Sequence, residues 1–428
     1  MAIRRVKFNM SELAKRAAES VGFPHDQCVN VERLPDGMFN KAFLFTMQDG
    51  TQVVGKVPNP NAGRPHYTTA SEVATMDFVR NKLSTPVPKV LAWSSNASEN
   101  PVGAEYIIME KVGGIQLNKV WPRMNINHRF ELVKTIARYQ KAWMSKSLIQ
   151  YGRRGFLDDG RIDVDFDRGP RDKLYGYKLA IGFRELACVQ EMPQLPRSIL
   201  GLYGPGTYRR SRSKKIAAIE DYLRMVHFFL PTDDSISSAF LWHPDLHVAN
   251  IFVNPKSLSE VVGIIDWQSS EVLPLFDHAR QPYFLDYDGP PATMEFQQTS
   301  SFDMMLFAQN LLIDGEALYQ ARILELEEEW SCLPGVQASG NPPFPLQYTT
   351  GDVRSIHEDA DKASRSMELM RGVKESLGEL WPEKGIVPLE RYDEVRELLK
   401  HVQTDLINQL ANSEEEKIGW DKAWPFDD

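Results

Sequence analysis

Apolar and polar positions fall into short, distinct patterns over the first 110 residues. Residues 11–21 have helical spacing, with Ser11 placed to cap the helix and Gly22 to stop it. Runs 29–34, 42–47 and 51–57 have strand character. Between the last two, Asp49-Gly50 is the pair favoured in a two-residue hairpin whose turn positions both need φ > 0. A loop rich in Pro, Asn and Gly covers 58–65. Val73, Met76, Val79, Arg80 and Leu83 then recur at roughly helical spacing until Pro86 and Pro88. Runs 90–93 and 104–109 return to strand character. This first region reads as a small, mostly antiparallel sheet carrying one long helix.

The pattern changes after Gly113-Gly114. Residues 130–143 form an amphipathic helix with Leu132, Ile136, Tyr139 and Trp143 along one side. Residues 151–213 are rich in Gly, Arg, Asp and Pro and weak in periodicity, which predicts an insertion of loops and short elements. Helical spacing resumes at 215–230. Three short apolar runs, 240–242, 250–253 and 261–265, surround turns, and helical segments dominate from Met304 onward. Residues 325–329 are a charged run that reads as a solvated helix face. No internal repeat stands out.

Composition narrows the function classes. The 428 residues are 42% hydrophobic and 25% charged, ordinary for a globular protein. The formal charge of −9 argues against a nucleic-acid or anionic-membrane partner, both of which need a broad basic surface. Three scattered cysteines, Cys28, Cys188 and Cys332, offer neither a disulfide framework nor a zinc site. No apolar run reaches the roughly 20 residues that span a bilayer. Residues 1–10 carry Arg4, Arg5 and Lys7 and no acid, which reads as a basic tail or the end of a transit peptide.

The stretch that carries chemistry is His243-Pro244-Asp245-Leu246-His247-Val248-Ala249-Asn250, followed by Ile264-Ile265-Asp266-Trp267. It keeps the H-x-D-L-x-x-x-N spacing of a kinase catalytic loop, with Pro in place of Arg. Phosphoryl transfer needs a carboxylate to orient the acceptor hydroxyl and take its proton, a role that fits Asp245. It also needs hard oxygen ligands for Mg²⁺, a role that fits Asn250 and Asp266. Singly, these are common turn residues; the ordered set at this spacing is what points to chemistry. His243 and His247 stand four apart, but Pro244 replaces the Glu of a zinc protease motif, and no third ligand is evident. His243 is expected to brace the loop by hydrogen bonding.

This stretch resembles the Brenner motif of the aminoglycoside phosphotransferase family, in particular its fungal members related to altered inheritance of mitochondria protein 9. The resemblance extends to Pro35-Asp36-Gly37-Met38-Phe39-Asn40-Lys41-Ala42-Phe43, Val54-Gly55-Lys56-Val57-Pro58-Asn59-Pro60 and Ala104-Glu105-Tyr106-Ile107-Ile108-Met109-Glu110, and continues to about Asp277. It implies an α+β, protein-kinase-like two-lobed fold. Residues 1–110 would be a mainly antiparallel β N-lobe, and 111–428 a larger, mainly helical C-lobe with the 151–213 insertion. It implies ATP and Mg²⁺ as cofactors. Lys56 would contact the α/β-phosphates; the alternative is a surface lysine on an edge strand. Glu72 would pair with Lys56, although Thr69-Ala70-Ser71-Glu72 also has capping-box spacing. Met109, Glu110 and Lys111 would form the adenine-binding hinge.

Three departures matter. A single Gly37 stands in for the glycine-rich loop, so ATP would be held mainly by Lys56 and metal. Trp267-Gln268 replaces Phe-Gly, against a protein-kinase activation switch. His247 stands where Ser/Thr protein kinases carry Lys. The chain also lacks a P-loop, and 201–206 reads as a glycine-rich loop only. The expected activity is ATP-dependent transfer to a hydroxyl of a small-molecule acceptor. The alternative is a catalytically weak or inactive nucleotide-binding protein with a regulatory or mitochondrial maintenance role. Asp158, Asp159, Asp163, Asp165 and Asp167 suit a cationic acceptor or a solvated loop. The resemblance implies a mitochondrial location.

Overall fold

The computed structural model describes residues 5–35, 37, 39–148, 150, 164, 169–196, 198, 200–279, 282, 284, 294–381, 387 and 389–426. The chain divides into two compact units. The first comprises 1–163, 168–174 and 234–293; the second comprises 164–167, 175–233 and 294–428.

The first unit opens with α1 (Met10–Ser20), capped by the Asn9 side chain, which accepts from Glu12 N at 3.2 Å. The cap is thus Asn9 and not Ser11, because the helix starts one residue earlier than its apolar spacing suggests. A five-stranded antiparallel sheet follows: β1 (Cys28–Arg33), β2 (Asn40–Met47), β3 (Gln52–Pro58), β4 (Val90–Ser94) and β5 (Tyr106–Glu110), in spatial order β1-β2-β3-β5-β4. Leu13, Ala17 and Ala18 of α1 pack with Phe43, Phe45, Val53, Val57 and Ile108. Each fully buried side chain of Leu or Phe size contributes about 1.5–3 kcal/mol.

The β2–β3 connection is longer than the two-residue hairpin expected. Met47 N donates to Thr51 O at 2.8 Å and Gly50 N to Met47 O at 2.9 Å, and only Gly50 is left-handed, at φ 90. This is a turn closed by one left-handed glycine, so Asp49 need not take positive φ.

The long helix α2 (Tyr67–Lys82) lies between β3 and β4 in sequence. After β6 (Ile115–Gln116) comes α3 (Ile126–Met144), capped by Asn125 and packed against strands β7 (Ala239–Trp242) and β9 (Ser257–Ile264). β9 forms a hairpin with β8 (Ile251–Asn254), giving the sheet β6-β8-β9, and β10 (Glu271–Pro274) pairs with β7.

The second unit is helical: α4 (Leu174–Glu191), α5 (Arg212–Phe229), α6 (Ser300–Ala308), α7 (Glu316–Glu329), α8 (Thr350–Leu377), α9 (Tyr392–Leu410) and α10 (Glu414–Ala423). The 18-residue α4 corrects the expectation of only loops and short elements in 151–213. It buries Lys178 and Glu185 along with Tyr177, Ile181 and Cys188, so no clean apolar stripe marks it. In this unit's interior, Lys215 Nζ donates to Glu316 Oε2 at 2.7 Å and to Leu311 O at 2.8 Å, with both side chains fully buried. Among the described residues, no helix is long and apolar enough to cross a membrane. An antiparallel sheet in the N-terminal region and helices beyond it make the class α+β.

Candidate functional site

The expected site residues all lie in the first unit. Lys56 sits on β3, the middle strand of the five, which removes the edge-strand alternative. Its ammonium reaches Glu72 Oε1 at 2.7 Å, Glu72 Oε2 at 2.9 Å and Asp266 Oδ1 at 2.9 Å. Glu72 is 4% exposed and does not close a capping box, because α2 starts at Tyr67 and its cap position is His66. Burial alone pulls the Lys56 ammonium down, but Glu72 and Asp266 together outweigh it and hold it above its ordinary value. Burial pushes the Glu72 carboxyl up. At Asp266 burial is outweighed by Lys56, with His243 and His247 adding to it, and the carboxyl stays below its ordinary range.

The loop from His243 to Asn250 is fixed largely by its own hydrogen bonds. His243 is 2% exposed; its Nδ1 accepts from Asp245 N at 3.2 Å, which leaves Nε2–H to donate to Ile265 O at 3.0 Å. That is the bracing role expected of it, and burial holds the imidazole below its ordinary value. Asn250 Nδ2 donates to Asp245 O at 3.0 Å, and Ile265 N donates to Asn250 O at 2.9 Å. Ile251 pairs with Ile264 across the β8–β9 hairpin, so Asn250 and Asp266 leave its ends side by side. Asp266 itself is left-handed, at φ 63, a conformation Asp tolerates better than most residues. His247 takes a Lys-like place beside the carboxylate: Nε2 is 3.4 Å from Asp245 Oδ2, while Nδ1 accepts from Ala249 N at 3.1 Å.

The donor set suits a hard cation brought in by phosphates. Asn250 Oδ1 makes no hydrogen bond among the described residues, and the ion pair of Asp266 with Lys56 uses only Oδ1. Among the described residues no group of three or more His, Cys, Asp and Glu side chains is arranged to hold a metal alone. Mg²⁺ fits such a site, because it keeps waters and takes its other ligands from phosphates.

At the expected hinge, Met109 is buried on β5 opposite Val54. The side chains that follow it are already engaged: Glu110 Oε2 accepts from Lys89 N at 2.9 Å and Arg80 Nη1 at 3.2 Å, and Lys111 Nζ donates to Gln52 Oε1 at 2.7 Å. The main chain of 111–113 makes no hydrogen bond among the described residues, which leaves donors and acceptors for a flat heterocycle. Two glycines pack this segment closely: Gly114, part of the Gly113-Gly114 pair marked in the sequence, and Gly263, which sequence reasoning missed. A Cβ on Gly263 would meet Val112 Cγ1 at 2.3 Å, and one on Gly114 would meet Val253 O at 2.4 Å. The isolated glycine in β9 is the signal that marks such a close approach. Below the loop, Trp267 stacks edge-on against Trp143 (5.4 Å) and His243 (4.6 Å).

Asp158, Asp159, Asp163, Asp165 and Asp167 lie outside the described residues. The second unit holds an open cavity of about 820 Å³ lined by Tyr203, Tyr208, Arg209, Arg210, Glu415 and Glu416 among others. Its lysine, Lys215, is already paired with Glu316.

Comparison with known proteins agrees with this geometry. The model of the phosphotransferase enzyme family, APH, matches residues 30–280, more than half of the chain. A subtelomeric hrmA-associated cluster protein of Aspergillus fumigatus is 30% identical over 65% of this chain and 65% of its own length. Altered inheritance of mitochondria protein 9, mitochondrial, of Saccharomyces cerevisiae is 23% identical over 64% of this chain and 51% of its own length. The matches thus span under two thirds of these curated relatives. The crystal structure of choline kinase from Cryptosporidium parvum superposes over 94% of this chain and 96% of that one, at 12% identity and a TM-score of 0.35, too loose to carry an argument. The family match, with the catalytic-loop spacing and the antiparallel sheet ahead of it, makes this chain a member of the APH phosphotransferase enzyme family.

Proposed function

We propose that the first unit binds Mg·ATP and transfers its terminal phosphoryl group to a hydroxyl of a small molecule. The observation that carries this reading is the convergence of Lys56, Glu72 and Asp266 within 2.9 Å contacts beside the braced Asp245–Asn250 loop. Bound Mg·ATP would supply the phosphoryl group and the positive charge that offsets charge building on it. The 1–110 region would act as the nucleotide lobe. Lys56 would contact the α/β-phosphates, oriented by Glu72. Met109, Glu110 and Lys111 would lend hinge main-chain groups to adenine, with Val112 beside them. Asn250 Oδ1 and Asp266 would hold the metal.

Asp245 would orient the acceptor hydroxyl and take its proton. Its side chain is 55% exposed, open enough for a substrate to reach. Its carboxylate already has His247 Nε2 within 3.4 Å, which favours one orientation. The hinge and the lysine need no glycine-rich loop, in keeping with the single Gly37.

That single glycine also favours a second reading, a nucleotide-binding protein with little turnover. Asp245→Asn separates the two. On the first reading it removes transfer to an acceptor while Mg·ATP still binds; equal loss of binding and turnover would count against the role of Asp245. The yeast relatives are named as mitochondrial, and we extend that location to this chain as part of the proposal.

A further inference from the structure

The segment carrying Asp266 is anchored by a side chain that the proposed chemistry does not use. Gln268 is 7% exposed, and both ends of its amide are engaged. Nε2 donates to the Ala62 carbonyl at 3.0 Å, and Oε1 accepts from Asn40 Nδ2 at 2.5 Å. Asn40 opens β2, the strand that follows β1. Ala62 lies in the loop that leaves β3 and leads into α2. The residue before β2 and that loop are also tied directly, since Asn59 N donates to Phe39 O at 2.9 Å, and within the loop Asn59 Oδ1 accepts from Asn61 N at 2.9 Å. Three stretches distant in sequence therefore meet at one buried amide.

The orientation of that amide is determined by its partners. A carbonyl can only accept, so the NH₂ group must face Ala62, and the oxygen is left for Asn40. Packing alone would be served by an apolar residue, without the desolvation that a buried amide must recover through hydrogen bonds. The anchored segment also needs holding: Asp266 and Ser269, at its two ends, are left-handed with φ 63 and φ 61.

We infer that Gln268 is a positioning residue. Together with Asn40 it latches the start of β2 and the loop after β3 onto the Asp266 segment. The start of β2 is thereby held in place by side-chain amides, in a chain without a glycine-rich loop. This inference rests on the nucleotide reading above and concerns how that same site is kept in register.

The test uses the full chain with Gln268→Leu, Asn40→Ala and the double variant. Hydrogen exchange without nucleotide reports the latch directly. Amides 40–45 and 59–62 should exchange about tenfold faster in each single variant, with α3 unchanged. The dissociation constant for Mg·AMP-PNP should rise about tenfold in each single variant and no further in the double than in Gln268→Leu, because that change already removes the bond that Asn40→Ala deletes. Unchanged exchange in both single variants overturns the latch. Faster exchange with unaltered nucleotide affinity overturns the positioning role. Wild-type binding of Mg·AMP-PNP is measured first; its absence would defeat the nucleotide reading, and the positioning role with it, whatever the exchange data show. If Gln268→Leu fails to fold, Asn40→Ala carries the same test from a half-buried position.

Discussion

Deleting Glu72 puts the buried ion cluster under the most direct strain. Lys56 Nζ has three carboxylate oxygens within 2.9 Å, two of them from Glu72. The side chains of Lys56 and Glu72 are 9% and 4% exposed. Removing one partner of a buried pair costs about 3–5 kcal/mol, because an uncompensated charge remains. Here Asp266 keeps one contact with the ammonium, so Glu72→Leu should cost less, about 2–3 kcal/mol. Replacing both charges, in Lys56→Met with Glu72→Leu, should recover most of that loss. The double-mutant cycle should then give a coupling of about 2 kcal/mol. Native-state hydrogen exchange at β3 and α2 amides measures it locally, without assuming that both units unfold together. A coupling under about 0.5 kcal/mol, the range of an exposed pair, would refute the reasoning.

Further tests address the other parts of the account. Asp245→Asn should lower acceptor phosphorylation at least about a hundredfold, the contribution of a general base, with nucleotide affinity within about threefold by calorimetry. Gly263→Ala should displace Val112, which its new Cβ would meet at 2.3 Å, and weaken nucleotide binding more than it lowers the unfolding midpoint. His243 is held below its ordinary 6.5 by burial, so the unfolded chain takes up its proton first as pH falls through that value. Stability should fall by up to about 1.4 kcal/mol per pH unit there. His243→Gln, which can still donate to Ile265 O, should flatten that slope between pH 7 and 5 in urea titrations. In the second unit, Glu316→Ala should destabilise by about 3–5 kcal/mol, because Lys215 would stay buried without its carboxylate.

Much of the site was legible because it is local. Asp245, Asn250 and Asp266 fall within one loop and one hairpin, so spacing alone brings them together. Glu72 was ambiguous for an identifiable reason: Thr69 offers a good cap, yet the helix begins at Tyr67 after His66, which adopts φ 69 with no side-chain cap. The second unit's α4 was missed because buried Lys178 and Glu185 interrupt its apolar pattern. The Asn40–Gln268 contact joins residues 228 apart in the chain, and no local pattern marks such a pair. Under the proposed function the identity of an acceptor is of the same kind, since it would depend on which surfaces meet Asp245 and not on motif spacing.

The central claim is that this cleft holds a metal–nucleotide complex through Asp266. Thermal unfolding with and without Mg·ATP, for wild type and Asp266→Ala, tests it most directly. Nucleotide at about 100 times its dissociation constant should stabilise the wild type by about 2.7 kcal/mol. The account predicts a clear rise in the wild-type midpoint that the variant lacks. No shift in either protein at millimolar Mg·ATP, or an equal shift in both, would contradict it.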